Sequence, residues 1–315
     1  MRDRNTKNEL WDLLDNQYEG NQARYKKRKR ENKRKDSIER SVLAEQLNKE
    51  EDNFNFTYQP SRHEQQWISS ALREFYLDSM ISDVLHVVRG GKEANVYCCK
   101  GHPAIGLDLL AAKIYRPRLL RNLKNDSLYK EGRVLLGDDG KTMRDQRSQR
   151  AVAKKTRIGG EMSITSWIEH EFQTLQQLHA AGADVPMPVA QNGNAILMEY
   201  IGEANAPAPV LHEVRLDPSE APELFARLLR NVELLLAHNR IHADLSSYNV
   251  LYWEGEVKII DFPQVVDPLY NNKGYQLLLR DIERLCQYFG RYGINANPAS
   301  LASDLWSRYL RGEFG

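Results

Sequence analysis

Residues 242–262 read HADLSSYNVLYWEGEVKIIDF and carry the most specific pattern in the chain. It places Asp244 five residues before Asn249, and Asp261 twelve residues after Asn249. Two short β-rich runs, NVLYW and VKII, follow Asn249, and the Glu-Gly pair between them predicts a hairpin turn. The pattern therefore predicts a loop with polar side chains, followed by a short hairpin that ends in a carboxylate.

These three side chains are typical of phosphoryl transfer from ATP. That reaction requires a carboxylate that orients a hydroxyl and accepts its proton, together with hard oxygen ligands for magnesium. Asp244 suits the role of base, and Asn249 and Asp261 suit the role of ligands. Each residue alone would more often be structural, but the joint pattern is much rarer. We expect His242 to brace the loop by hydrogen bonds, without a role in proton transfer.

The rest of the chain alternates between helical and β-rich patterns. Apolar spacing predicts an early helix at residues 64–81. The further predicted elements are strands at 84–89, 95–99, 109–115, 195–201, 249–253 and 257–260, and helices at 163–181, 219–239, 274–290 and 298–311. Strands that precede a mostly helical part predict an α+β chain with a sheet-bearing N-terminal lobe and a helical C-terminal lobe.

Two upstream features are candidates for binding phosphate. Lys113 lies within the apolar strand LLAAKIY, where a buried lysine is costly unless it is paired, although a lysine at a strand end can also reach solvent. Its expected partner is Glu171, because Glu169 lies two residues away and points elsewhere on a helix. Gly90-Gly91 predicts a turn whose amides can approach phosphate, but most such turns are only turns.

The segment HADLSSYNVLYWEGEVKIIDFPQVVDP resembles the catalytic segment of the RIO kinase family, especially its first subfamily, whose motif is similar to HADLSEYN. GGKEANVY resembles that family's phosphate loop, which is usually STGKEA, and WIEHEF resembles its W-x-E-K-E-F segment. The likeness covers roughly residues 65–290. It implies a bilobal, protein-kinase-like fold, with lobes at residues 61–201 and 202–315 and without activation or peptide-docking segments.

The resemblance also implies roles for individual residues. Asp244 would be the base, Lys113 would hold the phosphates, and Asp261 would bind metal with Asn249 and could accept phosphate itself. The cofactors would be ATP and Mg²⁺, with Mn²⁺ as a substitute. The implied nucleotide-binding residues are Gly90, Gly91, Lys92, Glu93, Val96, Lys113, Glu171, Met198, Glu199 and Ile201, where Met198 borders adenine and the backbone of Glu199 and Ile201 binds the base.

The sequence departs from kinase patterns at several positions. Arg89-Gly90 replaces the family's Ser-Thr pair, so Arg89 could supply charge where hydroxyl contacts are missing. Pro263 stands where ordinary kinases have the glycine of Asp-Phe-Gly, and no Ala-Pro-Glu segment follows. In the family these features imply serine autophosphorylation or an ATPase switch through a phosphoaspartate. Candidate phosphorylation sites in the expected flexible loop, residues 116–160, are Ser127, Thr142, Ser148 and Thr156.

Composition limits the remaining classes of function. The 315 residues carry a net charge of +1, yet residues 24–35 hold nine basic side chains and one acidic one. We expect residues 1–60 to be a disordered or loosely helical tail, which is either simply solvated or binds the RNA phosphates of a ribosomal particle. Three cysteines without CxxC spacing argue against a disulfide framework or a zinc site. With no apolar span or signal-peptide pattern, we expect a cytoplasmic protein.

Three functions remain open. The first is an ATP- and magnesium-dependent serine/threonine kinase or ATPase of the RIO type. The second is a small-molecule phosphotransferase similar to aminoglycoside kinases, which share the H-x-D-x-x-x-x-N layout. The third is a nucleotide-binding scaffold that docks on ribosomal particles without turnover. The joint presence of Lys113, Asp244, Asn249 and Asp261 favours an active enzyme.

Overall fold

The computed structural model describes residue 54, residues 56–116 and residues 157–314, and it gives side chains for all of these except residues 157–164. The chain divides into two compact units, Met1–Asn55 and Phe56–Gly315, and the strands, helices and site described below belong to the second. The basic run at residues 24–35 and the candidates Ser127, Thr142, Ser148 and Thr156 lie outside the described residues, so the predictions about them stay predictions.

A five-stranded antiparallel sheet forms the first part of this unit. Helix α1 (Arg62–Leu77) precedes it and buries Ile68, Leu72 and Phe75 on one face. The strands are β1 (Ile81–Gly90), β2 (Ala94–Gly101), β3 (Leu109–Tyr115), β4 (Pro188–Asn192) and β5 (Ala195–Glu199), in the order β1-β2-β3-β5-β4. Helix α2 (Arg157–Ala180) lies between β3 and β4 in the chain and contacts β4 and β5.

The second part is mostly helical. Short strands β6 (Gly202–Glu203) and β7 (Ala206–Pro207) lead into it, and helices α3 (Ala221–Ala237), α4 (Gly274–Phe289) and α5 (Pro298–Leu310) form its body. Strands β8 (Val250–Trp253) and β9 (Glu256–Ile259) make the predicted hairpin. Single 3-10 turns occur at Pro103–Ile105, Leu211–Glu213 and Gly290–Tyr292. One large apolar cluster unites α3, α4, α5 and the hairpin.

The α+β class is confirmed, and most element boundaries agree with the sequence patterns to within a few residues. The turn of the β8–β9 hairpin is the predicted Glu254-Gly255 pair, and both residues have positive φ, 51° and 81°, as a tight hairpin turn requires. Among the described residues, no helix is long and apolar enough to span a membrane.

Two predicted helix boundaries were wrong, and one strand was not predicted. Helix α2 begins at Arg157, six residues before the predicted start at Ser163. Helix α1 ends at Leu77, not at residue 81, since Asp78 caps it and Ser79 adopts a positive φ of 55°. Strand β4 was missed, since its five residues are only partly buried and begin with proline.

An ion pair between the buried Asp184 and the partly buried Arg227 fastens the sheet to the helical part. Asp184, in the connection before β4, receives two hydrogen bonds from the Arg227 guanidinium at 2.7 and 2.8 Å, and one from Asn231 at 2.7 Å. Burial alone would raise the pKa of the Asp184 carboxyl, but the hydrogen bonds from Arg227 and Asn231 lower it below its usual value. The Asp184 carbonyl also accepts from the Ile259 N–H at 2.7 Å, so this residue ties helix α3 to strand β9.

Candidate active site

The centre of the site is the ammonium group of Lys113. Its Nζ lies 2.7 Å from Glu171 Oε1 and 2.6 Å from Asp261 Oδ1. Burial alone would lower the pKa of Lys113, but the two carboxylates hold it well above its usual value, so the side chain is charged. Strand β3, helix α2 and the segment after β9 therefore meet at one cation, and the structure brings together the lysine and glutamate that the sequence pairs.

The two glutamates of helix α2 have different surroundings. Glu171 is buried, and its second oxygen accepts a hydrogen bond from the Tyr115 hydroxyl. Glu169 instead accepts from the Gln173 amide, one turn further along the helix, at 2.9 Å. Helical geometry predicts that only one of the two glutamates pairs with Lys113, since side chains two residues apart do not share a face of a helix. Tyr115 is a partner that the sequence pattern did not reveal.

Helix α2 also contacts the chain that follows Asp261. The Trp167 indole N–H donates to the Pro263 carbonyl at 2.7 Å. The Trp167 ring meets Tyr115 edge to face, with the ring centroids 5.6 Å apart. The indole thus connects helix α2, strand β3 and the Asp261 segment, and Pro263 replaces the usual glycine at the position where this contact forms.

The loop before β8 holds the proposed base and amide ligand side by side. The Asn249 amide donates to the Asp244 carbonyl at 2.9 Å and lies 3.4 Å from Asp244 Oδ2. Because its nitrogen is engaged, its oxygen is the atom that can coordinate metal. The other carboxylate oxygen of Asp244 pairs with Arg284 at 2.7 Å.

Helix α4 holds this loop through a buried aspartate. Asp281 accepts hydrogen bonds from the backbone N–H groups of Ala243, at 2.7 Å, and Leu245, at 3.0 Å. Arg280 donates to the Ala243 carbonyl, and Ala243 itself has a φ of 63° that side chains rarely adopt. The loop is strained at Ala243, and these contacts from helix α4 over-determine it.

Asp281 and Arg284 are the functional residues that sequence reasoning missed. The available signal was an aspartate on the apolar face of an amphipathic helix, among Leu278, Ile282 and Leu285. A charged residue in such a position must be paired or hydrogen-bonded. Burial raises the pKa of Asp281 to about 7, against the effect of its two backbone donors.

His242 braces the loop as expected. Its Nε2 lies 3.1 Å from the Ile260 carbonyl, and its ring packs on Phe262 with the centroids 5.0 Å apart. Burial lowers the pKa of the imidazole, so the ring is neutral and its Nε2–H donates this bond. The histidine therefore connects the loop to the strand that leads into Asp261.

Asp261 combines an unusual backbone with a charged side chain. Its φ is 72°, and the segment that follows is short, with helix α4 starting at Gly274. Burial alone would raise the pKa of its carboxyl, but Lys113 lowers it below the usual value, so the group is an anion. The Asp261 carboxylate and the Asn249 amide oxygen are hard donors of the kind that Mg²⁺ prefers. In the described part of the chain, no three His, Cys, Asp or Glu side chains cluster as a metal site.

The predicted phosphate turn lies between β1 and β2. The Gly91 N–H donates to the Ala94 carbonyl at 2.9 Å, and a Cβ on Gly91 would come within 2.8 Å of that oxygen. Lys92 is exposed, whereas Glu93 is partly buried. Burial raises the pKa of the Glu93 carboxyl, and the nearby Asp261 carboxylate raises it further. The Glu93 carboxyl therefore lies close enough to Asp261 and Lys113 for their charges to act on it.

The expected adenine side is apolar. Val96 and Met198 pack against a buried cluster of Cys98, Ala111 and Tyr200. The Glu199 N–H donates to the Met187 carbonyl at 2.8 Å, and the Ile201 carbonyl accepts from Ala208 at 3.0 Å. These two backbone groups are engaged within the chain. The Glu199 N–H is thereby excluded from the predicted contacts with the base, which leaves the Glu199 carbonyl and the backbone groups of Ile201, since a carbonyl oxygen can accept two hydrogen bonds.

Comparison with known proteins identifies the family. Residues 137–301, about half of the chain, match the RIO domain. The chain belongs to the RIO domain family. Serine/threonine-protein kinase rio1 of Schizosaccharomyces pombe is 30% identical over 70% of this chain and 40% of that protein. RIO-type serine/threonine-protein kinase Rio1 of Haloferax volcanii is 30% identical over 67% of this chain and 64% of that protein.

Human serine/threonine-protein kinase RIO3 is 34% identical over a shorter match, which covers 42% of this chain and 25% of that protein. The chain thus spans from a quarter to just under two thirds of the length of these curated relatives. A crystal structure of the Rio2 kinase from Chaetomium thermophilum, described as an ADP/Mg²⁺-phosphoaspartate complex, superimposes with a TM-score of 0.53. The superposition covers 84% of this chain and 74% of the Rio2 chain, with 18% sequence identity. This similarity confirms the protein-kinase-like fold.

Asp281 gives the RIO domain a pH-dependent stability. Its carboxyl titrates near 7 when folded and near 4 when unfolded, so the folded state holds an extra proton between these values. The free energy of unfolding of wild type, relative to Asp281→Asn, should therefore fall as pH rises from about 4 to about 7, by on the order of a few kcal/mol. Urea unfolding of both proteins at several pH values measures this. A difference that is flat or rises with pH across the window would show that burial does not govern this carboxyl.

Trp167→Phe removes one donor and keeps an aromatic ring. The lost hydrogen bond to Pro263 should lower the free energy of unfolding by about 1 kcal/mol. Amide hydrogen exchange should accelerate in peptides that cover residues 262–273, where helix α2 no longer restrains the chain. Trp67→Phe, in helix α1, is the matched control and should leave exchange in that segment unchanged, since the Trp67 ring contacts Tyr97 and Arg116. Equal protection of residues 262–273 in wild type and Trp167→Phe would mean that the indole contact does not hold the segment.

Proposed function

We propose that this chain is an ATP- and magnesium-dependent phosphotransferase of the RIO type, acting as a serine/threonine kinase, an ATPase or both. The observation that carries the proposal is the contact of one buried lysine with two carboxylates, at 2.7 and 2.6 Å, beside the Asp244–Asn249 loop. Family membership supports it, because the matched relatives are named serine/threonine-protein kinases.

Each side chain would have a defined task. Lys113 would bind the phosphates, positioned by Glu171 as in other kinases. Asp261 and the Asn249 oxygen would hold Mg²⁺, which supplies charge neutralisation at the phosphate oxygens when bound. Asp244, whose carboxylate is about 37% exposed, would orient an incoming hydroxyl or water and accept its proton.

The acceptor of the phosphate is part of the proposal. In the described residues, Asp261 and helix α4 are joined only by residues 262–273, which leaves little chain for docking a peptide substrate. Autophosphorylation on serine, transfer to Asp261 itself and transfer to water all fit this geometry. A small-molecule acceptor of the aminoglycoside type is the alternative within the same chemistry, and a screen of aminoglycosides and sugars for ATP-dependent phosphorylation separates the two.

A role on ribosomal particles is a further part of the proposal. It rests on the basic run at residues 24–35, whose nine cationic side chains suit an RNA backbone. Deletion of residues 1–40 should weaken RNA binding and reduce its salt dependence. An unchanged salt dependence would exclude the run as the contact. A cytoplasmic location is proposed with it, in keeping with three buried, unpaired thiols.

Phosphate transfer from γ-labelled ATP with magnesium tests the catalytic assignment. Asp244→Ala and Asp261→Asn should each lower label transfer and phosphate release at least about 100-fold, since each removes a group that acts in the transition state. Asp304→Ala and Asp304→Asn, at an exposed carboxylate on helix α5, make the same chemical changes and should keep wild-type rates.

Three outcomes would contradict this assignment in different ways. Wild-type protein that neither transfers label nor releases phosphate would remove the catalytic proposal. ATP binding in that protein would favour the nucleotide-binding scaffold instead. Activity that survives Asp244→Ala but not Asp261→Asn would show that Asp244 is not the base.

A further inference from the structure

Arg89 lies in the same cross-strand row as the central lysine. Strand register places Arg89 opposite Val96, and Val96 opposite Lys113. Directly opposed residues in antiparallel strands project from the same face of the sheet, with Cβ atoms about 5 Å apart. Lys113 points from that face to Asp261, and Val96 packs on it toward Met198. Arg89 therefore projects on the face that carries the proposed nucleotide site.

An irregularity in β1 sets this direction. The register shifts between Val87 and Arg89, so Val88 is an extra residue in the strand. Val88 packs against the apolar cluster with Val96, and Arg89 takes the position opposite Val96. A β-bulge of this kind can re-aim the side chain that follows it. The strand then reaches the turn at Gly90 and Gly91.

The charges around this face leave Arg89 available for an anion. The Lys113 ammonium is already shared by Glu171 and Asp261, and Arg284 is paired with Asp244. Arg89 is exposed and forms no ion pair with any carboxylate in the described ranges, 56–116 and 157–314. Its charge nevertheless acts on the site. Burial raises the pKa of the Asp261 carboxyl, and Lys113 lowers it. Arg89 also lowers the pKa of this carboxyl.

Apart from Arg89, the turn offers a phosphate one other cationic side chain, the exposed Lys92. Gly90 and Gly91 have none, and Gly91 has no room for one, as a Cβ would approach the Ala94 carbonyl to 2.8 Å. The serine and threonine hydroxyls of the usual RIO loop are absent. A planar guanidinium presents paired donors that match phosphate oxygens, which a hydroxyl or an ammonium does not.

We infer that the Arg89 guanidinium binds the terminal phosphates of the nucleotide, beyond the α-phosphate, and replaces the missing hydroxyl contacts. The inference rests on the proposed ATP-dependent function and adds a specificity for di- and triphosphates over monophosphates. Arg89 on β1 and Lys113 on β3 lie in one cross-strand row, on either side of Val96 on β2. The two cations would thus contact the phosphates from the two ends of that row.

Calorimetric titration of the full chain with ADP and with AMP, both with Mg²⁺, tests the inference. Arg89→Gln should weaken ADP binding by about 10- to 100-fold, the usual effect of losing charge-assisted hydrogen bonds, and change AMP binding less than about twofold. Lys100→Gln removes the same charge from an exposed site on β2 and should leave both affinities at wild-type values. Arg89→Lys, which keeps the charge but loses the planar fork, should fall between wild type and Arg89→Gln, and it serves as the second variant if Arg89→Gln does not fold.

Unchanged ADP affinity in Arg89→Gln would overturn the inference and leave the proposed function in place. An equal loss of ADP and AMP affinity would also overturn it, since Arg89 would then act on the whole pocket. Wild-type protein that binds neither ADP nor ATP would instead remove the proposed function, and the role of Arg89 with it.

Discussion

The ammonium group of Lys113 is buried between the carboxylates of Glu171 and Asp261, and the arrangement of the site depends on that contact. A buried lysine is costly unless it is paired, and removing one partner would leave a charge uncompensated. Strand β3, helix α2 and the chain after β9 must therefore converge at this cation. The Trp167–Pro263 hydrogen bond and the Tyr115–Glu171 hydrogen bond reinforce the same junction from helix α2.

A second constraint comes from helix α4. Asp281 and Arg280 hold the backbone of the loop at Ala243, and Arg284 holds the carboxylate of Asp244. The loop adopts positive φ at Ala243, and the chain after β9 adopts it at Asp261. One strained backbone position thus lies beside the proposed base, Asp244, and the other is the proposed metal ligand Asp261, and each residue makes a long-range contact. Such strain at an active site is maintained only where the surrounding structure over-determines it.

The residues proposed to act in the reaction were predictable because they lie close together in the sequence. Asp244, Asn249 and Asp261 lie on one loop and one hairpin, so a short motif specifies them. The pairing of Lys113 with Glu171 needed the helical period in addition, which excluded Glu169. The protein-kinase-like fold followed from the order of strands and helices together with the resemblance of the motifs.

The supporting contacts were not predictable for a physical reason. Asp281, Tyr115 and Trp167 act through tertiary contacts with residues far away in sequence, and no local pattern encodes those partners. Strand β4 is short, starts with proline and is only partly buried, so its pattern is weak. Helix α2 begins six residues before Ser163 and includes Gly159 and Gly160, which are poor helix formers and had favoured a loop. Local signals therefore identified the reacting groups, while tertiary packing determined what positions them.

Lys113 is proposed to unite these elements into one ATP site, and Lys113→Met tests this most directly. The measurement is calorimetric ATP binding with and without Mg²⁺, together with phosphate release, in wild type and in the variant. We predict ATP affinity at least about tenfold lower in both conditions, since a charge-assisted contact to phosphate is lost, and no detectable phosphate release. Wild-type affinity and turnover in a folded Lys113→Met protein would contradict the central role of this lysine.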